Sequence, residues 1–171
     1  MIPFLLAAQR QLVRVHEAHG GPGGLMYAYQ RAVPVLQVAN VATSLRWYVD
    51  VLGFTPDTFP KTPPYSFAIL RRDGAEIMLQ CADEARSADP SERKSDPEFL
   101  WSIYLRISGA TVLDVAGAVE KKAKLLRGPE RMLYGLVEFE VCDPDGHRVC
   151  VGGDAPPGAH VKVREERNNA P

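Results

Sequence analysis

Residues 33–54 read V-P-V-L-Q-V-A-N-V-A-T-S-L-R-W-Y-V-D-V-L-G-F. The stretch begins as a strand and ends as a helix. Val33, Val35 and Gln37 alternate with Pro34, Leu36 and Val38, the period of two of a strand with two unlike faces. Asn40 offers a side-chain oxygen to a free backbone N–H of a first helical turn. Leu45, Tyr48 and Leu52 follow at helical spacing as an apolar stripe. Gly53 closes the helix with a residue that tolerates positive φ, and Phe54 opens the next extended run.

Outward from there, residues 55–60 are extended but carry Pro56 and Pro60, which suits an edge strand. Pro63 and Pro64 stiffen a turn. Y-S-F-A-I-L-R (65–71), R-D-G (72–74) and A-E-I-M-L-Q-C (75–81) read as a hairpin. The order so far is β-α-β-β-β. Residues 82–98 are charged and nearly free of large apolar groups, as a solvated linker is. The pattern then returns. W-S-I-Y-L-R-I (101–107) alternates as a strand, and Thr111 with Asp114 makes a capping box. Val112, Val115, Val119 and Ala123 form a helical stripe. R-M-L-Y-G (131–135) leads into L-V-E-F-E-V-C (136–142), D-P-D-G (143–146) is a turn, and H-R-V-C-V (147–151) is a last strand. Q-V-A-N aligns with R-I-S-G, and the D-G of 73–74 with the D-G of 145–146. Internal repetition of this kind defines two βαβββ modules, 33–81 and 101–151, joined by a linker over 82–100 within a domain of 32–153.

The apolar strand, Ser44 and Leu45, the pair Trp47 and Tyr48, and Leu52, Gly53 and Phe54 together resemble the opening of a vicinal oxygen chelate module. That superfamily holds glyoxalase I, the bleomycin and fosfomycin resistance proteins and the extradiol dioxygenases. Y-G-L-V-E-F-E-V-C-D-P-D-G-H (134–147) resembles the end of bleomycin-resistance-like modules. The resemblance covers residues 33 to about 153. It implies an α+β fold in which two βαβββ modules form a curved mixed sheet around a groove, with helices on the outer face. It also implies a homodimer.

Most enzymes of the superfamily hold a divalent metal through His, Glu or Gln, near the start of the first strand and on the last strand of each module. Carried over by the repeat, those positions are Val33, Met78, Ser102 and Cys150. A hard cation needs several oxygen or imidazole ligands, which these four do not supply. The expectation is a domain with no metal and no cofactor. The four histidines do not change it: His16 and His19 precede the domain, His147 follows a turn and His160 is in the tail.

Strand alternation gives the remaining groove residues. The first strand adds Val35 and Gln37, and the fourth adds Glu76 and Gln80. The fifth adds Tyr104 and Arg106, and the last adds Arg148. Glu138 and Glu140 face the groove or its rim, while Trp101, Ile103, Leu105 and Ile107 face the helices. Each group also has a plainer reading. Glu76 with Arg106, and Glu138 with Arg148, read as structural cross-strand pairs. Cys150 reads as a small buried hydrophobe, with no His or Lys beside it to activate the thiol. Trp47 and Tyr48 read as helix–sheet packing or dimer surface, and Asp143 and Asp145 as turn formers.

Three functions remain open. One is a binding protein that sequesters a small organic ligand, cationic if the carboxylates meet it, as the bleomycin resistance proteins do in antibiotic resistance. Another is a lyase, isomerase or dioxygenase, in which Glu76, Glu138 or Tyr104 would serve as general acid or base. The third is a degenerate module serving only to dimerise.

Composition narrows the partners. The chain has 171 residues, 46% of them hydrophobic, and a formal net charge of −1. It lacks the clustered basic excess of a nucleic-acid binder. No apolar run approaches the roughly 20 residues of a membrane span. Cys81, Cys142 and Cys150 lack metal-type spacing and read as free thiols in a reducing cytoplasm. Residues 1–31 look unlike the rest, and their apolar-then-basic order is the reverse of a signal peptide. The G-G-P-G-G at 20–24 and Met26 point to a misassigned leader. Residues 154–171 read as a flexible tail.

Overall fold

The computed structural model describes Tyr29, residues 31–82 and residues 101–164. The leader and the linker expected from the sequence fall almost entirely outside these residues. The first module runs β1 (Val35–Val38), α1 (Val41–Leu52), β2 (Thr55–Phe59), β3 (Phe67–Arg72) and β4 (Ala75–Cys81). The second runs β5 (Ile103–Arg106), α2 (Val112–Glu120), β6 (Leu125–Arg131), β7 (Val137–Cys142) and β8 (Arg148–Gly153). Each module builds a four-stranded mixed sheet, ordered β1-β4-β3-β2 and β5-β8-β7-β6, in which the first strand lies parallel to the last. The α+β fold with paired βαβββ modules is as the sequence predicts.

The ends of the helices are set by local chemistry. The Asn40 side chain accepts from the Thr43 N–H at 3.0 Å, and Gly53 closes α1 at φ 69°. Thr111 accepts from the Asp114 N–H at 3.2 Å and caps α2. The apolar stripe of α1 buries Val41, Tyr48, Val51 and Leu52, and its contacts are with β2, β3 and β4. Helix α2 packs in the same way on β6, β7 and β8. The strand faces under the helices are apolar, with Leu36, Leu70, Ile77 and Leu79 in one module and Phe139, Val141, Val149 and Val151 in the other, all buried. Tyr48 meets Phe54 edge to face, with ring centroids 6.1 Å apart.

The βαβββ pattern calls for strand β6, but the sequence does not mark where it runs. Gly128 and Pro129 interrupt its alternation, and its pairing with β7 shifts register between Leu125 and Arg127 and again between Arg127 and Glu130. Glycine and proline inside a run are signs of a bulge rather than of a regular strand. The beginning of the tail touches the domain. Ala155 and Val161 pack against the core, Arg131 bridges to Val163, and the Arg164 N–H bonds Arg131 O at 2.9 Å. Among the described residues, no helix is long and apolar enough to cross a membrane.

Candidate ligand-binding site

The repeat that located the groove residues is present in the strand registers. Val35 pairs with Met78 in β1 and β4, and Tyr104 pairs with Cys150 in β5 and β8. Pairing continues one step outward, through the Met78 N–H to Pro34 O and the Ser102 N–H to Arg148 O, both 2.9 Å. The predicted residues therefore occupy the faces opposite the helices, divided between two sheets of different character.

The first sheet presents a mainly apolar open face. Val35 and Gln37 are exposed, Met78 is half-buried, and Phe59 at the edge is 67% exposed. Glu76 does not meet Arg106. It lies opposite Arg71, whose Nε donates to Oε2 at 2.6 Å. Arg106 instead lies 3.5 Å from Asp154. In both cases the nearer partner is a neighbouring strand or strand end of the same module.

The second sheet carries a buried polar cluster. Glu138 is fully buried and Glu140 nearly so. The partner of Glu138 is Arg127 of β6, not Arg148 as the plainer reading had it. Arg127 Nη2 lies 3.3 Å from Glu138 Oε2 and 2.8 Å from Glu140 Oε1. Its Nε donates to Glu140 at 2.9 Å, and Nη1 lies 3.5 Å from Glu130. Burial opposes the charge on Arg127, but the Glu140 and Glu138 carboxylates outweigh it and hold the guanidinium above its usual pKa. Sequence alternation missed this arginine because it sits in the irregular part of β6.

Aromatic side chains close over the acids. Tyr104 Oη donates to Glu138 Oε1 at 2.9 Å, and Tyr134, on the β6–β7 turn, donates to the same oxygen. Trp101 Nε1 donates to Glu140 Oε1 at 2.8 Å, and its ring lies 5.3 Å from that of Tyr104. Trp101 thus joins the polar side and not the helix side. It precedes the first residue of β5, so strand alternation does not reach it. Beneath the rings, Cys150 is buried, and its thiol pKa is pushed up by burial and by the Glu138 charge. These surroundings disfavour the thiolate.

Gly152 makes room for this arrangement. A Cβ there would lie 2.0 Å from Tyr104 Oη and 3.4 Å from Glu138 Cγ. Burial first, and then the hydrogen bond to Glu138, push the Tyr104 pKa up to about 12. A raised pKa means that the bond's stabilising effect is present below the ordinary phenol value near 10 and is lost as pH rises through about 12. Gly152→Ala displaces the ring and returns Tyr104 toward that ordinary value. An ultraviolet phenolate titration reads the shift; an unchanged curve would show that Gly152 does not hold the ring in place.

A divalent metal does not suit this donor set. Val33 has no donor, Met78 has a soft thioether, Ser102 has one hydroxyl, and the Cys150 thiol is neutral. The carboxylates of these faces are already engaged by guanidinium groups, Glu76 by Arg71 and Glu138 and Glu140 by Arg127. Among the described residues, no group of three His, Cys, Asp or Glu is placed to share one ion.

Comparison with known proteins agrees with the architecture. A virulence protein from Salmonella typhimurium shares 21% identity with this chain, at a TM-score of 0.52 over 76% of this chain and 100% of that one. TioX from Micromonospora sp. ML1 shares 17%, at a TM-score of 0.58 over 73% and 98%. A glyoxalase/bleomycin resistance protein/dioxygenase from Nocardioides shares 11%, at a TM-score of 0.53 over 93% and 98%. At these identities the likeness is one of fold. No curated protein sequence matches. The family model of the glyoxalase/bleomycin resistance protein/dioxygenase superfamily matches residues 30–151, a span that takes in both modules and every element from β1 to β7, and the chain belongs to that superfamily.

Proposed function

We propose that this protein binds a small organic cation on the polar face of its second module, without a metal. The observation that carries the reading is a charge imbalance. Two buried carboxylates, Glu138 and Glu140, face the single guanidinium of Arg127. One negative charge is left under a partly exposed aromatic roof of Tyr104 and Tyr134. At the rim, Glu130 is matched by Lys162 at 3.7 Å. Buried charge is costly unless compensated, and aromatic faces attract organic cations. The bleomycin-resistance-like subtype, with sequestration as its function, fits this reading better than an enzyme does. Cys150 is not activated, and the carboxylates of this face, Glu138 and Glu140, are held in the ion network of Arg127.

Benzylamine and benzyl alcohol form a matched pair of probes that differ in charge. Benzylammonium is expected to raise the melting temperature and benzyl alcohol is not, with the same result in EDTA. Glu138→Gln removes the unmatched charge beneath the tyrosines, and should weaken benzylamine binding and flatten its salt dependence. Equal binding of the two probes would remove the cation reading. Stoichiometric zinc, nickel or iron, with an activity lost on chelation, would restore the enzyme reading.

A dimer accompanies this proposal. Val35 and Phe59 leave apolar surface on the first sheet that a second copy would cover. Light scattering is expected to give twice the chain mass at micromolar concentration, and a stable monomer would refute it.

A further inference from the structure

The two modules meet at a turn that the binding site does not use. Asp143 Oδ1 accepts from the Asp145 N–H at 3.0 Å and the His147 N–H at 2.8 Å, and the Gly146 N–H returns to Asp143 O at 3.1 Å. The turn is thus shaped by its own bonds. Its outer side then engages the start of α1 in the other module, about a hundred residues earlier in sequence. Asp145 Oδ1 accepts from the Ala39 N–H at 2.7 Å, and Oδ2 accepts from the hydroxyl of buried Ser44. Tyr48, one helical turn beyond Ser44 and on the same face, donates to Asp143 Oδ2 at 3.0 Å. His147 Nε2 lies 2.8 Å from Gln37 O.

We propose that the Asp143–His147 turn is a latch that couples the two modules into one cooperative folding unit. Ser44 and Tyr48 on α1 match Asp145 and Asp143 on the turn, so a single docking pose satisfies both pairs. Burial raises the Asp143 pKa, and burial beside Asp143 raises that of Tyr48. These groups have left water to make the joint. A carboxylate beside the first turn of α1 is also favoured by the helix dipole. Buried apolar residues of the two modules form one continuous cluster, and Lys122 Nζ reaches Asp50 O at 2.7 Å. Apolar contact is not directional; it holds the modules together without fixing how they are turned. Directional bonds with desolvated partners set that orientation, and the latch supplies them.

The chain carries its own reporters, since its two tryptophans fall one in each module, Trp47 in α1 and Trp101 before β5. Trp47→Phe leaves a probe of the second module, and Trp101→Phe leaves a probe of the first. With the latch intact, the fluorescence and circular-dichroism midpoints within each single-tryptophan protein are expected to coincide in urea, whatever Trp101→Phe costs by removing the bond to Glu140. Adding Ser44→Ala with Asp145→Ala should separate the midpoints and cut each denaturant slope to about half, because the slope follows the surface exposed in each step. Asp73→Ala, an equal charge change on an exposed hairpin, should leave them together. If the double variant does not fold, Tyr48→Phe and Asp145→Asn are read in the same way. Midpoints that move together in every latch variant would overturn the proposal, since they would mean that the shared apolar cluster alone couples the modules.

Discussion

Replacing Arg127 by methionine is expected to lower the unfolding free energy by about 3 to 5 kcal/mol, the usual cost of leaving a buried charge without its partner. Methionine keeps much of the volume and length of the side chain, so packing loss is a minor part. What remains is Glu138, fully buried, and Glu140, 4% exposed, with no cation between them. The Tyr104, Tyr134 and Trp101 donors still solvate the carboxylates but do not neutralise them. Urea unfolding measures the loss. The triple variant Arg127→Met, Glu138→Gln, Glu140→Gln removes the charges together and should recover most of the stability, because replacing a whole buried network costs far less than breaking it. If the reading of the site as a cation receptor holds, benzylamine also stabilises Arg127→Met more than it stabilises the parent protein. A loss under about 1 kcal/mol for Arg127→Met would show that water screens the cluster as it does a surface ion pair, and the site argument would fail with it.

Gly128→Ala is expected to cost about 2 to 5 kcal/mol, from left-handed backbone strain and from overpacking. Gly128 sits at φ 80°, and a Cβ there would meet Glu138 O at 2.6 Å and Phe139 Cα at 3.3 Å. Both contacts are with the backbone of β7, an interior strand buried on both faces from Val137 to Val141. It has no room to retreat. The glycine lets β6 step out of register beside β7, and this step brings the Arg127 guanidinium over Glu138 and Glu140. The substitution should therefore loosen the acid cluster as well as the fold. Thermal unfolding measures the first effect, and the phenolate titration of Tyr104 and Tyr134 the second. Gly74→Ala is a fair comparison, since an added Cβ there meets nothing within 4 Å. Equal and small losses at both glycines would sink the argument.

Much of the fold is legible in the sequence because its signals are local. Asn40 and Gly53 mark the ends of α1, and R-D-G marks a hairpin. Alternation in 136–142 separates Val137, Phe139 and Val141 from Glu138 and Glu140. Each depends on residues a few positions apart, so pattern alone determines it. The internal repeat adds the alignment of the modules, and with it the equivalence of Met78 and Cys150 on their last strands. Tertiary structure decided the pairings. Arg127 reaches Glu138 and Glu140 through a bulged strand that has no clean period. Trp101 turns to the polar side because it precedes β5. Glu76 takes Arg71 and Arg106 takes Asp154, because spatial proximity chose among several chemically equivalent arginines. Asp143 and Asp145, which alone read as turn formers, become the joint between modules only when β7 and β8 carry them to Ser44 and Tyr48. Side-chain type fixes what a group can bond, and only the folded backbone fixes which of many equal partners it meets.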